Sequence, residues 1–285
     1  PEVIHCHSAK AGILGRIAGS YLGIKTYYTP HAYSYLSTHS TIKRGFLKLI
    51  ERFLDFFPAN IIACSNSEFQ RAVVELKIKK EKVFVWENSI ETKMELKSTE
   101  ILKSLPQNFI CSIGRPSYQK HTALLVEAVK EIKNEIADIH LVILGVGLYS
   151  PSLQQIKELI KNYKLEKNIT LINWLERPES LEFLNQSKLY VSSSRYEGLP
   201  YSLLEAMCLS KPTVVTNVDG NKDLIQNGTH GFVVAEDSLE LSNRIKEILN
   251  DKKMSQEMSI SARKKIITTY DISKNISKIE YIYSL

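Results

Sequence analysis

The sequence has 285 residues, of which 44% are hydrophobic and 24% charged, proportions that exclude disordered, collagen-like and coiled-coil chains. At roughly 150 residues per domain the length suits two domains, and no apolar run reaches the ~18 residues a membrane-spanning helix needs. The net charge of +6 is spread along the chain; it fits an anionic ligand or an acidic membrane surface and falls short of a nucleic-acid signature.

The chain opens at Pro1 without an initiator methionine, and Glu2–Cys6 already reads as the middle of a fold. An N-terminal portion is therefore expected to be missing. Short β-branched runs then alternate with helical patterns to the end. Strands are predicted at Val3–Cys6, Lys25–Thr29, Asn60–Cys64 and Lys82–Val85. Between the second and third, Ile42, Phe46, Leu49, Ile50, Phe53, Leu54 and Phe57 recur at helical spacing and predict an apolar stripe that covers a sheet. The polar stretch Asn88–Gln107 interrupts the alternation. It separates a partial first domain (1–90) from a second (108–268), with a linker at 91–107.

Further strands are predicted at Phe109–Ile113, His140–Leu144, Thr170–Asn173, Leu189–Ser192 and Thr213–Thr216, with a helix stripe at Leu124, Leu125, Ala128, Val129 and Ile132. In the last segment, 269–285, Ile272, Ile276, Ile279 and Tyr283 predict a helix whose apolar face returns to the first domain. Near-continuous apolar strands alternating with helices define an α/β chain with parallel sheets buried on both faces. Cys6, Cys64, Cys111 and Cys208 are far apart, with no C-x-x-C pair, and read as buried thiols of a reducing compartment.

Chemistry concentrates where predicted strands turn into helices. In Ser192–Met207, Gly198 permits a tight turn, Pro200 suits a helix start, and Glu197 and Glu205 straddle it. Such a start offers N–H groups to phosphate or sugar oxygens, and the two carboxylates accept from vicinal hydroxyls. In Ser112–Lys120, Arg115 and Lys120 follow Gly114 at a strand's carboxyl end, where open α/β sheets bind ligands. Arg as a fork and Lys as a point charge suit a diphosphate; on their own they also fit a solvated loop. His31 ends a strand, as either a structural histidine or a ligand donor. His5 and His7 alternate along a strand with no third metal ligand nearby, and no metal is expected. Gly145-Val146-Gly147 lacks the third glycine of a dinucleotide fingerprint, since Ser150 stands there, which disfavours an oxidoreductase.

Taken together, H-x-H-S-x-K-A-G, T-P-H-A-Y-S, G-R-x(4)-K, L-V-I-L-G-x-G and E-G-L-P-x-x-L-L-E-A-M resemble the retaining glycosyltransferase family 4. Within it, the sequence is most similar to capsule and O-antigen enzymes. The resemblance implies a GT-B fold of two facing Rossmann-like domains, the first truncated here. It implies a cytoplasmic enzyme, peripheral at the membrane's inner face, that moves a sugar from a UDP-, GDP- or ADP-sugar to a glycan or lipid-linked acceptor without a metal. A partner-dependent or inactive fragment that still binds nucleotide sugar is the alternative. By resemblance, Gly114, Arg115 and Lys120 hold the diphosphate, together with the helix start at Pro200 and Ser202. Glu197, aided by the backbone at Gly198 and Leu199, meets the sugar hydroxyls, and Glu205 the ribose. Trp174 and Leu175 touch the base, and His31 faces the sugar from the opposite wall. The chain departs from the family pattern in lacking a first glycine-rich loop and in having Glu87-Asn88-Ser89-Ile90 before the linker.

Overall fold

The computed structural model describes residues 1–147 and 149–285, and contains two parallel sheets flanked by helices. The first sheet has the order β1-β2-β3-β4, from β1 (Val3–His7), β2 (Lys25–Thr29), β3 (Ala59–Ala63) and β4 (Val83–Val85). The second has the order β10-β9-β8-β5-β6-β7. Its strands are β5 (Ile110–Ile113), β6 (Leu141–Val146), β7 (Ile169–Asn173), β8 (Tyr190–Ser192), β9 (Thr213–Thr216) and β10 (Phe232–Val234). Helices α1 (Ser8–Leu22), α2 (Thr41–Leu54) and α3 (Asn66–Gln70) belong to the first half, and α4 (Glu100–Lys103) lies in the crossing. The second half carries α5 (Thr122–Lys133), α6 (Leu153–Asn162), α7 (Arg177–Gln186), α8 (Tyr201–Cys208), α9 (Asn221–Leu224), α10 (Ser238–Asn250) and α11 (Lys252–Thr269); α12 (Ile272–Ser284) closes the chain. The sequence reading places no strand at β10.

Local chemistry explains how the elements stack. Gly12, Gly15 and Gly19 form a stripe on α1 that lies directly on Tyr28, Cys6 and Thr26, leaving no room for a methyl group. Between α1 and α2, Arg16 and Glu51 pair at 2.9 Å, each only 2% exposed. The Arg16 guanidinium also lies 4.3 Å from the centroid of the Tyr28 ring. All four cysteines are free and buried.

Two expectations, the buried faces of α2 and α12, need correction. The predicted stripe on α2 does not cover the sheet. Glu51 and Leu54 turn inward, whereas Ile42, Phe46, Leu49 and Phe53 face solvent, because the Arg16–Glu51 pair fixes the rotation of the helix. The linker 91–107 is anchored. Met94, Leu102 and Leu105 pack on the second-half core, and α4 forms within it. On α12, Ile279 and Ile282 are the buried pair and Ile276 is exposed, because the helix is oriented by Tyr27 Oη donating to Ile282 O at 2.6 Å and Trp86 Nε1 donating to Asn275 O at 3.0 Å. That helix packs on Tyr27 and Ile62 of the first sheet.

Candidate functional site

β5 and β8 are neighbours in the second sheet, so the loops that leave their carboxyl ends meet. Gly114 has φ +154, and a side chain there would strike Lys120 Cδ at 2.9 Å; the lysine stem lies across the glycine. Lys120 Nζ reaches Glu197 Oε1 at 2.6 Å. Ser194 Oγ donates to the same oxygen at 2.7 Å, and Gln119 Nε2 donates to Glu197 Oε2 at 3.4 Å. Ser193 Oγ donates to Lys120 O at 2.8 Å and ties the two loops together. Arg115 is exposed and has no hydrogen bond or ion pair among the described residues.

Pro200 sits just before α8 in extended conformation rather than in its first turn, and its carbonyl accepts from Leu203 N and Leu204 N, both at 3.2 Å. Ahead of those bonds, the amides of Tyr201 and Ser202 have no partner inside the helix. Ser202 Oγ shares a 2.8 Å hydrogen bond with Tyr190 Oη. Leu199 is buried, and its carbonyl accepts from Asn88 Nδ2 at 2.8 Å. Glu205 Oε1 pairs with Arg177 Nε at 2.8 Å. Burial pushes the Glu205 carboxyl up and Arg177 opposes that shift. Arg177 begins the helix after β7, where Trp174 stands 76% exposed and Leu175 packs on the core.

The opposite wall is the turn after β2. His31 (φ +51) and Ala32 (φ +76) both take left-handed conformations that cost energy for residues with a side chain. The turn is held by the buried carboxylate of Glu68, which accepts from Ala32 N at 2.7 Å and Cys64 N at 2.8 Å. The Gly198 Cα fits against this turn. A Cβ there would lie 2.9 Å from Cys64 Sγ and 3.0 Å from both Ala32 N and the His31 carbonyl carbon. His31 Nε2 meets His7 Nδ1 at 2.9 Å. Desolvation by the surrounding chain, and then His7, lower the pKa of the exposed His31 to about 4, so the ring is neutral near pH 7. His5 bonds Tyr283 Oη at 2.6 Å and Thr29 Oγ1 at 2.8 Å. Among the described residues, no three His, Cys, Asp or Glu side chains form a metal-binding group.

Beyond Glu197, on the β9–β10 side, the two halves leave a cavity of about 350 Å³. Arg44, Arg71 and His39 line it from the first half, and Arg195, Tyr196 and Lys222 from the second. Asp219 joins Arg71 and Lys222, and Glu236 joins Arg195 at 2.8 Å. A larger hollow of about 730 Å³ opens at the opposite edge of the second sheet, around Lys133, His140 and Lys167, and holds none of the candidate residues.

The structure therefore brings Gly114, Arg115, Lys120, Glu197, Gly198, Leu199 and the start of α8 to one carboxyl edge, with His31 across from them. Glu205 is tied through Arg177 to the start of the helix after β7, and Trp174 stands in the loop between that strand and that helix. The sequence reading gave no role to Glu68, Gln119, Ser194 or Arg177, and weighed His7 only as half of a metal pair. Ser194 and Gln119 adjoin recognised motifs and were within reach; Glu68 and His7 depend on tertiary placement.

Residues 94–265 match the family Glycosyl transferases group 1, and residues 1–94 match Glycosyltransferase Family 4. The chain belongs to the group 1 glycosyl transferases, and its two parallel sheets are those of the GT-B fold. It is 30% identical over 302 residues to the UDP-Gal:alpha-D-GlcNAc-diphosphoundecaprenol alpha-1,3-galactosyltransferase of Escherichia coli, covering 99% of this chain and 75% of that protein. It is 24% identical over 299 residues to the capsular polysaccharide biosynthesis glycosyltransferase CapM of Staphylococcus aureus, covering 100% of this chain and 77% of that protein. The Anabaena HepE structure in complex with UDP-glucose superposes with a TM-score of 0.85 at 20% identity, covering 100% of this chain and 79% of that one. Sucrose-phosphate synthase from Thermosynechococcus elongatus gives 0.84 at 17% identity, covering 99% and 73%.

Proposed function

We propose that the protein is a retaining glycosyltransferase that moves a hexosyl group from a UDP-sugar to a lipid-linked glycan in the synthesis of a surface polysaccharide. The observation that carries this reading is the Lys120–Glu197 contact at 2.6 Å beside the exposed Arg115. It puts cations for a diphosphate next to a carboxylate for sugar hydroxyls. The named activity of the E. coli relative and the UDP-glucose bound to HepE favour a uridine donor.

The sheet order supports one direction for the donor. Trp174 follows β7, Arg115 and Lys120 follow β5, and Glu197 follows β8. A donor laid along this edge has its base at Trp174 and Leu175, its ribose at Glu205, its diphosphate at Gly114, Arg115, Lys120 and the start of α8, and its sugar at Glu197 and the Gly198–Leu199 backbone. Neutral His31 hydrogen-bonds the sugar from the other wall. The acceptor then enters from the β9–β10 side through the cavity at Tyr196 and Arg195.

Same-face transfer breaks the bond between the anomeric carbon and the β-phosphate oxygen, and the acceptor oxygen bonds to that carbon on the same side. The acceptor hydroxyl proton passes to the departing diphosphate, and UDP leaves. Arg115, Lys120 and the α8 amides stabilise the charge that grows on the diphosphate. These protein cations make a metal ion unnecessary for that neutralisation.

The test is incubation of the protein with a UDP-sugar and a lipid-linked acceptor, followed by NMR of the product's anomeric coupling. An α-linked product from an α-configured donor is expected; a β-linked product overturns retention, and no transfer from any UDP-, GDP- or ADP-sugar overturns the reading.

A further inference from the structure

We infer that the protein docks on an anionic phospholipid bilayer through the outward face of α2, an inference that rests on the lipid-linked acceptor reading. Along α2 and the residues after it, Ile42, Phe46, Leu49, Phe53 and Phe56 recur at intervals of three and four and fall on one side. They are between 61% and 86% exposed, and Phe53 and Phe56 lie edge to face at 6.2 Å. A run of five large apolar side chains pointing to water is unusual on a soluble surface and marks an interaction site. No described helix is long and apolar enough to cross a membrane. At 14 residues α2 measures about 21 Å, which suits a helix lying in the plane of the interface.

The charges select a bilayer. Within α2 the sole acid is Glu51, buried against Arg16, whereas Lys43, Arg44 and Arg52 are exposed. At the carboxyl end, Lys82 Nζ donates to Asp55 O at 2.6 Å and to Asp55 Oδ1 at 2.9 Å, which ties the turn bearing exposed Lys79, Lys80 and Glu81 to the end of α2. Apolar rings flanked by cations match acyl chains beneath anionic headgroups. Arg44 also lines the cavity beyond Glu197, with Nε donating to Tyr35 O at 3.3 Å. The docking face therefore continues into the side from which the acceptor enters, and a lipid-linked acceptor reaches the cavity without leaving the membrane surface.

Co-sedimentation with phosphatidylglycerol and with phosphatidylcholine vesicles tests this, using wild type, Phe46→Ser/Phe53→Ser and Lys43→Glu/Arg52→Glu. Wild type is expected to bind phosphatidylglycerol vesicles, with less binding at high salt. The serine variant is expected to lose about tenfold per side chain, and the charge-reversed variant to lose its preference for phosphatidylglycerol. UDP titration of the same samples shows whether each variant is folded and tests the donor site separately. Vesicle binding without UDP binding sinks the donor reading alone. Equal sedimentation of wild type and the serine variant overturns the docking face. So does a vesicle-indifferent wild type that elutes as a dimer and becomes monomeric in the serine variant, since a second copy then covers the face.

Discussion

Gly198 lies against the backbone of Ala32 with only 3.0 Å between the position of a Cβ and the Ala32 nitrogen. That contact joins the loop that carries Glu197 to the turn that carries His31. It holds the two walls of the crevice at one separation.

Any side chain at residue 198 has to push the walls apart. Gly198→Val is expected to reduce transfer at least about 100-fold through misplacement of the reacting groups. UDP affinity should stay within about threefold of wild type, because the proposed donor site has the nucleotide on the second half alone. Paired measurements of turnover and UDP affinity check this; a parallel loss of both contradicts the wall-spacing role.

Charge stabilisation on the diphosphate predicts that Arg115→Ala and Lys120→Ala each lower turnover by roughly 100–1000-fold. Lys120 also pairs with Glu197, so its loss releases that carboxylate, whereas Arg115 has no partner among the described residues. Glu197→Gln is accordingly expected to impair sugar discrimination more than nucleotide affinity. Initial rates with two UDP-sugars separate the two effects.

The proposed role of Arg115, Lys120 and the α8 amides as the positive field predicts that transfer persists in EDTA. Rates measured with EDTA and then with added magnesium or manganese check this. Loss in EDTA that either ion restores contradicts it.

Much of this architecture was legible in the residues. Short β-branched strands spaced by helical patterns fix a parallel α/β fold, and motifs at strand ends mark the crevice, since both are local in sequence. Three kinds of feature were not. Glu68, which holds the strained His31–Ala32 turn, sits on α3, and only tertiary packing aims its carboxylate there. The outward rotation of α2 depends on the buried Arg16–Glu51 pair, which links residues in different helices. The partners on α12 depend on which side of a helix with isoleucines all along it meets Tyr27 and Trp86.

The Arg16–Glu51 pair gives a stability prediction. Removing one member leaves the other charge buried without a counterion. Glu51→Ala is expected to cost about 3–5 kcal/mol in urea unfolding. The double variant Arg16→Met/Glu51→Leu should recover much of that loss. A single variant as stable as wild type contradicts the role given to the pair.

Burial lowers the His5 pKa to about 4, with help from His7 and His31, and His31 is likewise lowered to about 4. The unfolded chain takes up protons at these sites as the pH drops below about 6.5. The folded chain does so only near pH 4. The unfolded state thus binds more protons in that window, and stability falls as the pH is lowered through it. Substituting His5→Gln is expected to flatten the decline between pH 6.5 and 4. Urea midpoints across that range check the sign; a decline equally steep in the variant contradicts it.

The most direct check on the donor site is calorimetric titration of UDP into wild type and into the Arg115→Ala/Lys120→Ala variant. Saturable binding to wild type, weakened at least about 100-fold in the variant, is the predicted result. Equal affinities in the two proteins would place the nucleotide somewhere other than the β5–β8 crevice.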